Sequence, residues 1–141
     1  MSYTWSTGAA AVLEHVGNDW AGVWSLLFAA TKATFRLSLQ VPLDLGAELA
    51  YAAMDSGEAR DEVGWAHPDV PMAAIAVDLG PAGQSLDVAE TRAVIVSLLD
   101  GALHRLTALG AIDCAPSDRQ LARRVGSKVL AARDVVMDLR P

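Results

Sequence analysis

The stretch Trp20–Gln40, WAGVWSLLFAATKATFRLSLQ, decides how this chain folds. It contains no proline. Asn18 or Asp19 stands just before it as an N-cap, a residue whose side-chain oxygen accepts a hydrogen bond from a free amide of the first turn. Pro42 stops it, because proline disfavours helical geometry at the residue that precedes it. Wound as a helix, the segment is polar along a single strip of Ser25, Lys32, Arg36 and Gln40. Trp20, Val23, Trp24, Leu26, Leu27, Phe28, Phe35, Leu37 and Leu39 fill most of the remaining circumference. A helix on the surface of a domain needs an apolar stripe only about 100° wide. This one therefore sits centrally, with neighbours on several sides, or it meets a second subunit.

A second segment repeats the pattern. Asp87 and Glu90 have the spacing of an acidic capping box and open a helix that ends at Gly110. Its polar strip is Glu90, Ser97, Asp100, His104 and Thr107, and Val88, Ile95, Leu98, Leu99, Leu103 and Leu106 cover a broad arc. The last helix starts at Pro116 and has an ordinary balance. Leu121, Val125, Val129, Ala132, Val136 and Leu139 lie on one face, with Arg119, Arg123, Ser127 and Asp134 on the other.

The other segments are shorter. Ser6 or Thr7 can cap a first helix that ends near Gly17. Asp44 can cap a third, Leu45 to Ser56, with Gly57 as its C-terminal stop. Glu58 to Pro71 reads as a loop, with room for one helical turn. Pro71 to Leu79 reads as a short helix, with a short strand as the alternative because Ile75, Val77 and Leu79 alternate with smaller or polar residues. Gly80-Pro81-Ala82-Gly83 is a break. The expectation is a single all-α domain over residues 1–141, a bundle of four to five helices.

Composition sets the outer bounds. The chain of 141 residues is 52% hydrophobic and 20% charged, which disfavours disorder. The net charge of −6 argues against nucleic acid, which asks for a basic balance. The single cysteine, Cys114, cannot form an internal disulfide and fits a reducing compartment. Met1–Trp5 shows no basic region leading into an apolar core, so no secretory signal is expected. The longest charge-free apolar stretch, Trp20–Thr31, falls short of the roughly 20 residues of a membrane span. A cytoplasmic protein without a membrane span is the expectation.

The side chains that can do chemistry are sparse. Asp100 and His104 are four apart on one helical face and can meet, as half of a metal site or as a carboxylate orienting an imidazole. Glu14 and His15 are the nearest candidates for further ligands, but nothing in the spacing brings them together. No metal and no cofactor is expected. Asp55, Glu58, Asp61, Glu62 and Asp69 cluster around Trp65 and His67, without the order of a calcium loop. They read as solvated acids, and Trp65 reads as a loop pin or an interface anchor. Arg119 to Lys128 has the flavour of a helix-turn-helix, with Arg119, Arg123, Arg124, Lys128 and Arg133 as phosphate contacts. Against that, the apolar face runs through Gly126 without a change of phase.

No convergent catalytic set emerges. The leading expectation is a non-enzymatic helical protein that acts through protein–protein interaction, including self-association into a homo-oligomer. Trp20, Trp24, Phe28, Trp65, Asp100 and His104 are the candidate interface or ligand contacts. One alternative is a small-molecule-binding domain or enzyme, with an apolar pocket between the tryptophan-bearing helix and the 87–110 helix and with Asp100 and His104 at its mouth. Another is a DNA-binding regulator using the C-terminal segment.

Overall fold

A computed structural model describes residues 5–81, 87–111 and 115–139. Among these residues the protein is an all-α bundle with six helices and no strand: α1 (Trp5–His15), α2 (Trp20–Ser38), α3 (Leu43–Ala66), α4 (Val70–Ala73), α5 (Val88–Leu109) and α6 (Pro116–Met137). No helix among them is long and apolar enough to cross a membrane. Cys114 and the Ala82-Gly83 end of the Gly-Pro break lie outside the described residues.

The four long helices form a ring in the order α2, α3, α6, α5. Each packs on the two beside it, and among the described residues the backbones of the diagonal pairs α2–α6 and α3–α5 do not come close. Their interior side chains, including Leu26, Leu27, Leu37, Leu49, Ile95 and Leu98, are fully buried. Helix α1 lies on α5 and α2, and α4 lies on α2 and α3. The broad apolar arc of α2 is thus largely used within the chain, because four other helices touch it.

Local signals set several of the helix ends. Asp19 caps α2, its Oδ1 accepting from the Gly22 amide at 2.8 Å, and Asp87 caps α5 by accepting from the Glu90 amide at 3.2 Å. Pro116 occupies the first turn of α6. Two expected caps are displaced. Helix α1 already includes Ser6 and Thr7, and α3 begins at Leu43, so that Asp44 sits in its first turn. There its charge still favours the positive end of the helix dipole.

The largest departure is in α3. The expected stop at Gly57 and the expected loop from Glu58 are both helix, and α3 runs on to Ala66. Gly57 is buried inside it, where an added Cβ would stand 3.5 Å from Thr31 Cγ2 of α2. Two helices meet there, with Thr31 Oγ1 donating to Ser56 Oγ at 2.9 Å. What reads locally as a C-terminal glycine is an interior residue of α3 at its contact with α2.

The 71–79 segment is helical only as far as Ala73, one turn that starts at Val70. From Ala74 the chain is an irregular strap with no sheet partner, so the strand alternative fails. Its polar groups are taken by the strip of α2 expected to face water. The Ile75 amide donates to Ser25 Oγ at 3.0 Å, and Arg36 Nε and Nη2 donate to Asp78 at 2.8 and 2.7 Å. Ser25 is accordingly buried. At the far end Gly80 adopts a left-handed φ of 80°, which glycine takes without a Cβ penalty, and Trp5 Nε1 donates to its carbonyl at 3.0 Å.

Candidate interaction surface

A four-helix ring has four outer seams, and here they have different fates. Helix α1 rests against the α2–α5 seam. The α3–α6 seam is closed by two ion pairs, Lys128 Nζ to Glu58 at 3.1 Å and Arg124 Nε to Glu62 at 3.3 Å, and by a hydrogen bond between His67 Nε2 and Asp118 at 3.1 Å. Residue numbers rise along α3 as they fall along α6, so the helices are antiparallel and these contacts are successive rungs. Glu58 holds the Lys128 ammonium above its ordinary pKa. Two of the acids expected to be solvated on a loop, Glu58 and Glu62, are therefore paired across to α6, with two of the cations expected to contact phosphate.

The remaining two seams are open grooves. Between α2 and α3 lies a groove of ≈ 550 Å³, with Phe35, Ala53, Met54 and Gly57 along its apolar part. Its rim carries both signs of charge, Lys32 and Arg60 with Glu58 and Asp61. Phe28 lies beneath two of these cations, 5.6 Å from Lys32 Nζ and 5.8 Å from Arg60 Cζ, and stacks on Trp24 at 5.3 Å. Between α5 and α6 lies a second groove of ≈ 440 Å³, lined by Leu103, Leu106, Ala122 and Leu130, with Arg119 and Arg123 at the rim.

The six expected contact residues divide between these settings. Trp20 is buried and stacks on His67 at 5.3 Å, which makes it part of the frame. Trp24 and Phe28 are half-buried beside the α2–α3 groove. Trp65 is 75% exposed near the end of α3. Asp100 and His104 do not form the expected pair. Asp100 accepts from Arg133 Nε at 2.5 Å and from Nη2 at 3.4 Å, while His104 is exposed and has no partner among the described residues. A guanidinium fork matches a carboxylate better than an imidazole one turn away. The carboxylate in turn holds Arg133 above its ordinary pKa. Asp100 is thereby tied to α6, away from the mouth of any α2–α5 pocket.

Helix α6 is continuous through Gly126, without the bend of a helix-turn-helix. Arg124, Lys128 and Arg133 are each paired within the chain. Among the described residues, no group of three or more His, Cys, Asp or Glu side chains is arranged to hold a metal ion.

Two features went unread in the sequence. Arg105 is 8% exposed and has carbonyls for partners: Gly17 at 2.9 Å, Gly101 at 3.0 Å, Leu13 at 3.3 Å and Val16 at 3.4 Å. It caps the C-terminus of α1 from a helix some 90 residues away in sequence, which no local pattern announces. The other is an exposed row on α3, where Leu43, Tyr51 and Met54 are 88, 69 and 59% exposed. Their three-to-four spacing with Ala47 places them along one edge. That spacing was visible, as a second apolar row beside the buried one of Leu49, Ala52 and Ala53.

No family model matches this chain, and neither a curated protein nor a solved structure is similar to it.

Proposed function

We propose that this is a non-enzymatic interaction protein that binds other protein surfaces, including a further copy of itself, through the outer side of α2 and α3. One observation carries the reading. Of the ten large hydrophobic side chains that stand strongly exposed among the described residues, six belong to this hairpin: Phe35, Leu39, Leu43, Tyr51, Met54 and Trp65. Single exposed apolar residues are ordinary, but a concentration on one side, next to a groove, is what marks an interface. The aromatic and methionine content of the patch suits such a role, since these side chains are enriched where proteins meet. The remaining long helices turn their large apolar groups inward more completely, with only Leu130 and Met137 exposed on α6.

Light scattering coupled to size-exclusion chromatography tests the self-association. The wild-type mass rises with protein concentration, and Leu43→Ser with Met54→Ser lowers it toward the monomer without changing the helical circular dichroism. A wild-type protein that stays monomeric up to millimolar concentration contradicts the reading.

A further inference from the structure

We propose that the outer edge of α3 in one copy seats in the α5–α6 groove of the next, so that self-association is head-to-tail. The proposal rests on the reading above and names the surface that receives the exposed hairpin.

Charge selects the pairing. The first half of α3, Leu43 to Asp55, contains Asp44, Glu48 and Asp55 and no lysine or arginine. These acids flank an apolar ridge of Leu43, Ala47, Tyr51 and Met54, which rises ~16 Å along the helix. The α5–α6 groove is the counterpart. It has an apolar floor and no acidic residue in its lining. At its rim Arg123 is exposed and has no hydrogen-bond, ion-pair or ring partner among the described residues, unlike the cations of the α3–α6 ladder. The α2–α3 groove has no such bias, because its own rim is mixed in sign.

Gly126 is an independent observation. Glycine weakens the interior of a helix relative to alanine. The usual compensation is a close neighbour, as the Ser38 carbonyl oxygen is for Gly46. An added Cβ at Gly126 would meet nothing within 4 Å, so packing within the chain does not call for a glycine there. Its missing side chain instead deepens the α5–α6 groove, which it lines. A helix laid in a groove approaches most closely where the floor is glycine.

The ridge belongs to the α2–α3 side of the ring and the groove to the opposite side. A two-fold dimer therefore cannot fill both grooves of a pair with both ridges. Each copy keeps one surface unsatisfied, and the contact propagates into a ring or an open chain.

Two variants test this on the full chain. Tyr51→Arg with Met54→Arg removes the ridge. Arg123→Glu with Gly126→Leu reverses and fills the groove. All four positions are exposed or have space around them, and an unchanged thermal melt verifies each fold. Alone, each variant is a monomer at concentrations where the wild type associates. Mixed in equal amounts they form a heterodimer and stop there, because one retains the groove and the other the ridge. The affinity of that heterodimer falls at least about tenfold between low salt and 0.5 M salt, as a contact steered by charge does. A groove variant that still associates like the wild type, or a mixture that stays monomeric while the wild type associates, overturns the head-to-tail contact and leaves the hairpin reading standing. A wild type that never associates overturns both.

Discussion

Helix α6 presents basic side chains to two seams, and the two seams treat them differently. Arg124 and Lys128, four residues apart, meet Glu62 and Glu58, also four residues apart, and the α3–α6 seam closes. Arg119 and Arg123 have the same spacing five residues earlier and line the α5–α6 groove, which stays open. Residue type and periodicity are alike in the two rows. What differs is the facing helix, which offers a matching row of carboxylates in one case and Leu103, Leu106 and Thr107 in the other. A basic row on a helix therefore carries little meaning until its neighbour is known. Here one row holds the frame together, and in the other Arg123 has no partner among the described residues.

The comparison extends to how deeply each cation is held, and that depth orders the expected effects. Arg105 marks the buried extreme. Its guanidinium accounts for the Leu13, Val16 and Gly17 carbonyls at the end of α1, where the helix supplies no partners of its own. Arg105→Ala leaves them unsatisfied in a place water reaches poorly, and the expected loss is about 3 kcal/mol in urea unfolding. Arg105→Lys does not restore it, because one ammonium cannot span the positions a planar fork covers. Full recovery with lysine would show that charge at the α1 terminus, rather than the fork, is what matters.

The ladder comes next. Glu62 is the centre of it, with one oxygen on Arg124 and the other buried without a hydrogen bond, 3.9 Å from Lys128 Nζ. A double-mutant cycle on Glu62→Gln and Arg124→Gln is expected to give a coupling of about 0.5–1 kcal/mol, the scale of a partly exposed pair. The same cycle on Glu62→Gln and Arg123→Gln is expected to give zero within error. A coupling for Arg123 as large as that for Arg124 would erase the distinction between the two faces of α6.

These contrasts explain what could be read without the structure. Helices whose signals are local were legible: Asp19 before α2, Asp87 before α5 and Pro116 opening α6 each act on amides within a few residues. The second half of α3 was not, because its determinants lie elsewhere in the chain. Gly57 looks like a stop until Thr31 is placed against it, and Glu58 and Glu62 look solvated until α6 is laid alongside. Asp100 and His104 show the converse error, where a local spacing was sound but Arg133, 33 residues away, made the better bond. At the candidate surface, the tryptophans drew notice by residue type. Trp20 proved to belong to the frame, while the exposed edge runs through Leu43, Tyr51 and Met54, which only their spacing singles out.

The smallest expected effect is at the strap, where an exposed pair takes over a role that burial plays elsewhere. The two hydrogen bonds from Arg36 hold the Asp78 carboxyl below its ordinary range, and the Gly80 amide donates to the same side chain at 2.9 Å. A carboxylate with a depressed pKa contributes stability that is complete above its unfolded value, about 3.9, and is lost as the pH falls through its lower folded value. Acid should therefore loosen the strap from α2 before it unfolds the ring, since no Asp or Glu residue is fully buried among the described residues. The amide resonances of Ile75 and Gly80 are expected to titrate together below about pH 4 while the helical circular dichroism holds, and Asp78→Asn is expected to abolish that titration. If the strap amides stay fixed until the helices melt, the Ser25 hydroxyl and the Trp5 indole hold the segment without help from the charge. The polar strip of α2 would then be covered by hydrogen bonds alone, and ion pairing between elements would be left to α6, through Glu58 and Glu62 of α3 and Asp100 of α5.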